Sequence, residues 1–308
     1  MTPPVATNTP ASGIATRLRR PTVALFRALP QVRGRGSLAK VVNDALLKLG
    51  AEPVAVAKMA GGYSLQVDCR LFSHCMMLYL GGSDTDELLA ALLTFLKPGG
   101  VALDVGANVG SLTVPIALAA KRAGARVISF EPFSRNVEWI KNNLKLNQIE
   151  DVVTVVESGL SSEKGEATLL LREDFETGAM IGNASVAEPG NTERFQRVTI
   201  QLNTLDSLWP GFQSPRLDII KIDVEGHEDR FLQGAKDTLA ANRPVILMEV
   251  NRYFYSERGL DFNVVIPAAL PPDYRFFTSR SKEVKSLAEC HERDVLLVPA
   301  EKISQIHG

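Results

Sequence analysis

Apolar residues recur along this chain with two periods. Short, nearly unbroken apolar runs alternate with longer segments whose apolar positions repeat every three to four residues, so buried strands are expected to alternate with helices. The strand-like runs are 101–103, 126–130, 152–156, 217–222 and 245–248, with 274–278 and 295–298 following. Helical spacing covers 111–122, 137–146 and 230–240. Such an order predicts an α/β fold, a mostly parallel sheet with helices on both faces. A further helix over 85–96, opened by Asp84 with Glu87 three residues on, leads into the first strand through Pro98, Gly99 and Gly100.

Outside this alternation the pattern changes. Residues 37–49 have one broad apolar helical face ending at Gly50, 63–69 alternate as a strand does, and 71–80 are a plain apolar stretch. Residues 166–171 and 197–202 read as a hairpin-like excursion, with Gly, Asn and Ser around 178–190 as a long polar tip suited to substrate contacts. Residues 267–272, with proline at both ends, are expected to form a turn or flap. The chain thus divides into a flexible basic arm (1–36), a helix and strand extension (37–82), the main domain (83–300) and a short tail (301–308).

Composition adds exclusions. With 45% apolar and 22% charged residues and a formal net charge of -1, the chain shows no global bias toward nucleic acid, and no such partner is expected. Charge is uneven only at the start: residues 1–43 hold no acid but carry Arg17, Arg19, Arg20, Arg27, Arg33, Arg35 and Lys40. Residues 14–29 also fit a basic amphipathic segment interrupted by Pro21, similar to an organellar transit peptide or a surface-binding helix; the pattern reads first as a solvated arm, with peripheral membrane contact as the other reading. Cys69, Cys75 and Cys290 close no disulfide framework, which fits a reducing, cytoplasmic setting. An apolar run of about 18 residues, as a membrane-spanning helix needs, is absent from the sequence. His74 beside Cys75 matches no zinc spacing, so these residues are expected to pack in the core.

The candidate chemistry begins where the first buried strand ends. The run DVGANVG, residues 104–110, is a strand end turning sharply into a helix, which sets backbone N–H groups and a positive helix end around a ligand cradle. Gly106 and Gly110 permit close approach and positive φ, and Asp104 supplies a negative charge. Glu131, at the end of the next strand, is placed to accept hydrogen bonds from ribose hydroxyls, and Glu157 and Ser158 end the third. The nicotinamide fingerprint fails, because Asn108 and Ser111 stand where glycines are needed, and no Gly-Lys-Ser/Thr follows for a phosphate loop. An acid at the mouth of the turn, with no lysine or arginine in it, suits a nucleoside carrying a cationic amino-acid part, which describes S-adenosylmethionine. Asp223, Glu225 and His227 then gather in IDVEGHE after the fourth strand, and Glu249 ends the fifth.

DVGANVG, the Glu131-Pro132 pair, the helix bearing Asn142, Asn143 and Asn147, TLDSL at 204–208, and IKIDVEGHE with the later Gly234-Ala235 recur in this order. Together they resemble the FkbM-type methyltransferases over residues 62–300. The resemblance implies the class I, Rossmann-like methyltransferase fold, with a seven-stranded, mostly parallel sheet containing one antiparallel strand. It also implies O-methylation of a hydroxyl on a sugar, glycolipid or polyketide-type product, with S-adenosyl-L-homocysteine as the second product. The cofactor positions carried over are Asp104, Gly106, Asn108, Gly110 and Glu131, with Glu157 and Ser158 beside the adenine. A base that takes the hydroxyl proton is expected among Asp223, His227, Glu225 and Glu249, with Asp223 first by its position at a strand tip. A divalent cation held by Asp223, Glu225 and a substrate oxygen is left open but not favoured, and no metal ligand is assigned. Two other readings stand beside this one. A regulatory module binding the cofactor or its demethylated product without turnover would not need the acids at 223–228, and a Rossmann-type oxidoreductase lacks its fingerprint.

Overall fold

The computed structural model describes residues 13–30, 32–81, 86–171, 184–186, 196–213, 216–249, 251–278, 282–291 and 294–306. An N-terminal layer contains α1 (Ile14–Ala28), α2 (Arg35–Lys48), β1 (Val54–Lys58), β2 (Ser64–Asp68) and α3 (Phe72–Leu80). The main α/β unit follows with α4 (Asp86–Leu93), β3 (Val101–Val105), α5 (Thr113–Ala123), β4 (Arg126–Phe130), α6 (Ser134–Asn147) and β5 (Val153–Val156). A smaller sheet is built from β6 (Gly159–Leu160), β7 (Gly165–Leu171), β8 (Ala184–Val186) and β9 (Gln196–Asn203). The chain returns through α7 (Leu205–Leu208), β10 (Leu217–Ile222), α8 (Glu228–Gly234), α9 (Lys236–Asn242) and β11 (Val245–Glu249). It continues with α10 (Arg252–Glu257), α11 (Phe262–Ala269), β12 (Tyr274–Thr278), β13 (Lys282–Val284) and β14 (Asp294–Pro299).

Among the described residues the main sheet has the order β13-β12-β14-β11-β10-β3-β4-β5. β5, β4, β3, β10 and β11 run parallel, while β14 is antiparallel to both β11 and β12. The sheet has eight strands where seven are expected, because three residues of β13 pair antiparallel with β12 at the edge. β3, β10 and β11 are buried at every position, as strands covered on both faces must be. Their side chains alternate between two cores: Ile219 and Leu247 belong to the one that holds α4, α5 and α6, whereas Ile220 and Met248 belong to the one that holds α8 and α11.

The motif segments outside the cradle hold this architecture together. Thr204 caps α7 by accepting the Ser207 N–H at 3.1 Å, and Asp206 accepts the Asp237 and Thr238 N–H groups at the start of α9. Asn147 accepts the Ser64 N–H and donates to the Ser64 carbonyl, and Asn143 accepts the Gln66 N–H at 2.6 Å, so α6 grips the edge of β2.

Two expectations need correction. The expected flexible arm over 1–36 is, from residue 14, the docked helix α1. Its Phe26 ring meets Tyr79 edge-on at 5.5 Å, and Arg27 caps α3 by donating to the Leu78 carbonyl. Burial of Phe26 and Ala15 outweighs the proline signal at Pro21, which lies inside the helix. The expected turn over 267–272 starts later, since Pro267 lies inside α11, whose Phe262 and Ile266 are buried. The apolar stretch 71–80 is α3. Asp84 and Thr85 of the expected capping motif, and most of the expected polar tip, lie outside the described residues. No described helix is long and apolar enough to cross a membrane.

Candidate active site

From β3 the chain moves toward one edge of the sheet and from β10 toward the other, so a crevice opens where their carboxyl ends part. There the Asp223 N–H donates to the Val105 carbonyl at 3.0 Å. A Cβ on Gly106 would lie 1.9 Å from the Asp223 carbonyl oxygen, and φ there is 77°, so only glycine lets the two loops meet. The Gly106 and Ala107 N–H groups both donate to the Phe130 carbonyl at 3.0 Å, folding the turn back over the end of β4. Asn143 donates to the Val109 carbonyl at 2.9 Å and fixes the far side of the turn. The cavity so formed measures about 230 Å³.

Of the residues singled out in the sequence, Gly106, Asn108, Glu131, Ser158, Asp223, Glu225 and His227 line this cavity. Asp104, Gly110, Glu157 and Glu249 do not. Asp104 is fully buried beneath the turn, where it accepts the Thr113 hydroxyl at 2.5 Å and lies 3.9 Å from Lys221 Nζ. Burial raises its pKa, against the pull of Lys221 and Thr113. Gly110, with φ 82°, turns the chain into α5 against Ile140. Glu157 is exposed to solvent. The wall at the expected adenine end is supplied by Ser158, Gly159 and Leu160, and by Leu169, Ile200 and Leu202 of the small sheet.

Glu131 is buried with its carboxylate aimed by three donors. Asn108 N–H reaches Oε2 at 2.8 Å, Phe133 N–H reaches Oε1 at 3.0 Å, and the Asn136 amide reaches Oε1 at 3.3 Å. Burial pushes its pKa up to about 7, although these hydrogen bonds oppose the shift. Asn136 also lines the cavity, and its buried Oδ1 has no hydrogen-bond partner among the described residues.

At the other end the structure joins acids that are distant in sequence. Ligand atoms of Asp223, Glu225 and Glu249 lie within 4.8 Å of one another, close enough to share one divalent cation. Lys221 sits behind them, with Nζ 3.2 Å from Asp223 Oδ2. Burial alone would lower its pKa, but Asp223, Asp104 and Glu249 outweigh that and raise it, which keeps it charged. Its signal in the sequence is a lysine inside an otherwise apolar strand, and the sequence reading gave it no role. His227 is buried with its pKa lowered to about 4, first by burial and then by Arg258 and Arg230. It is therefore a neutral imidazole near pH 7 and a weak base.

The loop between Asp223 and His227 is held by Glu228 and Asp229 at the start of α8. Glu228 Oε1 accepts the Val224 and Gly226 N–H groups, and Oε2 accepts the Tyr255 hydroxyl at 2.7 Å. Asp229 forms a two-point pair with Arg258 at 2.8 and 3.0 Å, and Arg258 also donates to the Gly226 carbonyl.

A dinucleotide site would set a cation or a third glycine against its pyrophosphate; this turn has neither, and β14 enters antiparallel between β11 and β12. Crevice and sheet together define a class I methyltransferase. The Methyltransferase FkbM domain matches residues 104–277, more than half of the chain, and the chain belongs to that family. Hexuronic acid methyltransferase AglP of Haloferax volcanii is 27% identical over 163 residues, 52% of this chain and 60% of that protein. The AMB antimetabolite synthetase AmbE of Pseudomonas aeruginosa is 28% identical over 195 residues, 54% of this chain and 9% of that protein. The chain thus spans less than two thirds of the length of either curated relative. The solved structure of Methyltransferase FkbM from Methylobacillus flagellatus KT aligns over 92% of this chain and 60% of that one, with 17% identity and a TM-score of 0.42.

Proposed function

We propose that the protein methylates the oxygen of a hydroxyl on a sugar-like or other small acceptor, with S-adenosylmethionine as donor. The observation that carries this reading is the Asp223 carboxylate on the cavity wall, on the loop whose backbone touches Gly106. The residues fit the cofactor: Gly106 leaves room at the turn, Glu131 has fixed oxygens for ribose hydroxyls, and the unpartnered Asn136 Oδ1 awaits a donor. When bound, the cofactor supplies an electrophilic methyl carbon. The protein's own task is to align the acceptor oxygen and keep water out, which is the larger part of such a rate enhancement. Asp223 takes the hydroxyl proton as the new bond forms, and charged Lys221 holds its carboxylate in place. The name of AglP, a hexuronic acid methyltransferase, supports a sugar-like acceptor.

The test is incubation with methyl-labelled cofactor and matched hydroxyl and amine acceptors, hexuronic acids among them, with and without a chelator. Label is expected on oxygen, in both conditions, and label found only on nitrogen would overturn the reading. A second prediction concerns pH. Ribose hydroxyls donate to the charged form of Glu131, whose pKa of about 7 lies above the ordinary carboxylate range. Affinity for S-adenosylhomocysteine should therefore rise about tenfold from pH 6 to pH 8 and level off above. In the free protein the sign is opposite: the folded state holds this proton more tightly, so Glu131's contribution to stability is lost as pH rises toward 7 and above. Calorimetry on Glu131→Gln should show weaker binding with a flat pH profile; an unchanged profile removes Glu131 from the ribose site.

A further inference from the structure

The N-terminal layer supplies part of the cavity wall. Ser73, His74 and Met77 of α3 line it, although none belongs to the Rossmann-like sheet. α3 is brought there by the Asn143 and Asn147 bonds to β2, and by Leu71, which packs with Val109 of the glycine-rich turn and with Trp139. His74 is 3% exposed, and its Nδ1 accepts the Asp68 N–H at 3.0 Å. In a neutral imidazole this leaves the proton on Nε2, for which the described residues show no acceptor. Beside it, the first-turn N–H groups of α3 have no intrahelical acceptor, since N-cap Leu71 provides no side-chain oxygen. Ser73, on the same turn, also lines the cavity and offers a hydroxyl donor. The nearby Asp68 carboxylate is already engaged by the Arg70 guanidinium.

Neutral donors at a helix N-terminus suit a carboxylate. The same cavity carries Asp223 and Glu225, which repel one, so a ligand's carboxylate is favoured at the α3 donors over those acids. We propose that the first turn of α3, with His74 Nε2–H and the Ser73 hydroxyl, is the subsite for the carboxylate of the cofactor's amino-acid part. This rests on the assignment of S-adenosylmethionine as donor. It makes the N-terminal layer a working part of the methyltransferase site.

The test compares two ligands by calorimetry on the full chain: S-adenosylhomocysteine and its decarboxylated analogue, which keeps the amine. A hydrogen bond to a charged group implies that His74→Ala weakens S-adenosylhomocysteine binding by about 10- to 100-fold. The same variant should bind the decarboxylated analogue within about threefold of the wild type, which also shows that the fold survives. His74→Gln, whose amide oxygen replaces Nδ1 and whose amide N–H replaces Nε2–H, should recover part of the loss. Equal weakening of both ligands assigns His74 a structural role and overturns the proposal, as does unchanged binding of both. If the wild type binds neither ligand, the donor assignment itself is at fault.

Discussion

Asp223→Asn should lower kcat by about 10²-fold or more while S-adenosylhomocysteine affinity changes by less than about threefold. The substitution keeps the shape of the side chain and removes the group that accepts the hydroxyl proton. The buried Lys221 then still faces Asp104 at 3.9 Å and the field of Glu249, so the fold is not left with an unbalanced cation. His227→Ala should cost less, since its imidazole, with a pKa lowered to about 4, is a poor base near pH 7. Glu249→Gln should act at one remove, because Glu249 meets Asp223 in the acidic cluster without lining the cavity. Single-turnover rates at saturating cofactor measure all three. An unchanged rate in Asp223→Asn with collapse in His227→Ala would exchange their roles.

Arg258→Ala should destabilise the protein by about 3–5 kcal/mol, the range for removing one partner of a buried ion pair. Both sides of this pair are buried, at 8% and 5% side-chain exposure, and the guanidinium additionally holds the Gly226 carbonyl. Its loss leaves the Asp229 carboxylate buried without its partner beneath the Asp223–His227 loop, beside Tyr255. Urea denaturation should show this loss, and activity should fall further than stability alone explains, because the Asp223–His227 loop loses one of its anchors. The paired replacement Arg258→Met with Asp229→Leu removes both charges and should regain much of the stability. A loss below about 1 kcal/mol in Arg258→Ala would mean that the pair carries little of the load.

The sheet was legible because its signals are local. Strands covered on both faces are largely apolar, and β3, β10 and β11 announce themselves in that way. The cradle was legible for a related reason: Gly106 and Gly110 take φ of 77° and 82°, conformations that mark themselves in the chain. Pro21 and Pro267 misled, since burial of Phe26 and of Phe262 and Ile266 keeps their helices intact. The eighth strand left no clear signal, because three residues are too few to establish a period.

By itself, then, the chain's pattern determined the α/β alternation, the glycine turn and the acids that end the strands. All of these depend on neighbours within a few residues. Only the tertiary structure decided which acids reach the cavity. Register sets Lys221 beside Asp104 and keeps both on one face of the sheet, where Asp104 becomes a buried partner and not a wall residue. Glu249 comes within 4.8 Å of Asp223 and Glu225 because β11 lies beside β10, a neighbour relation that no local spacing encodes. His74 has the same origin: in the chain it is a histidine in an apolar stretch, and two asparagines on a distant helix bring it to the cavity.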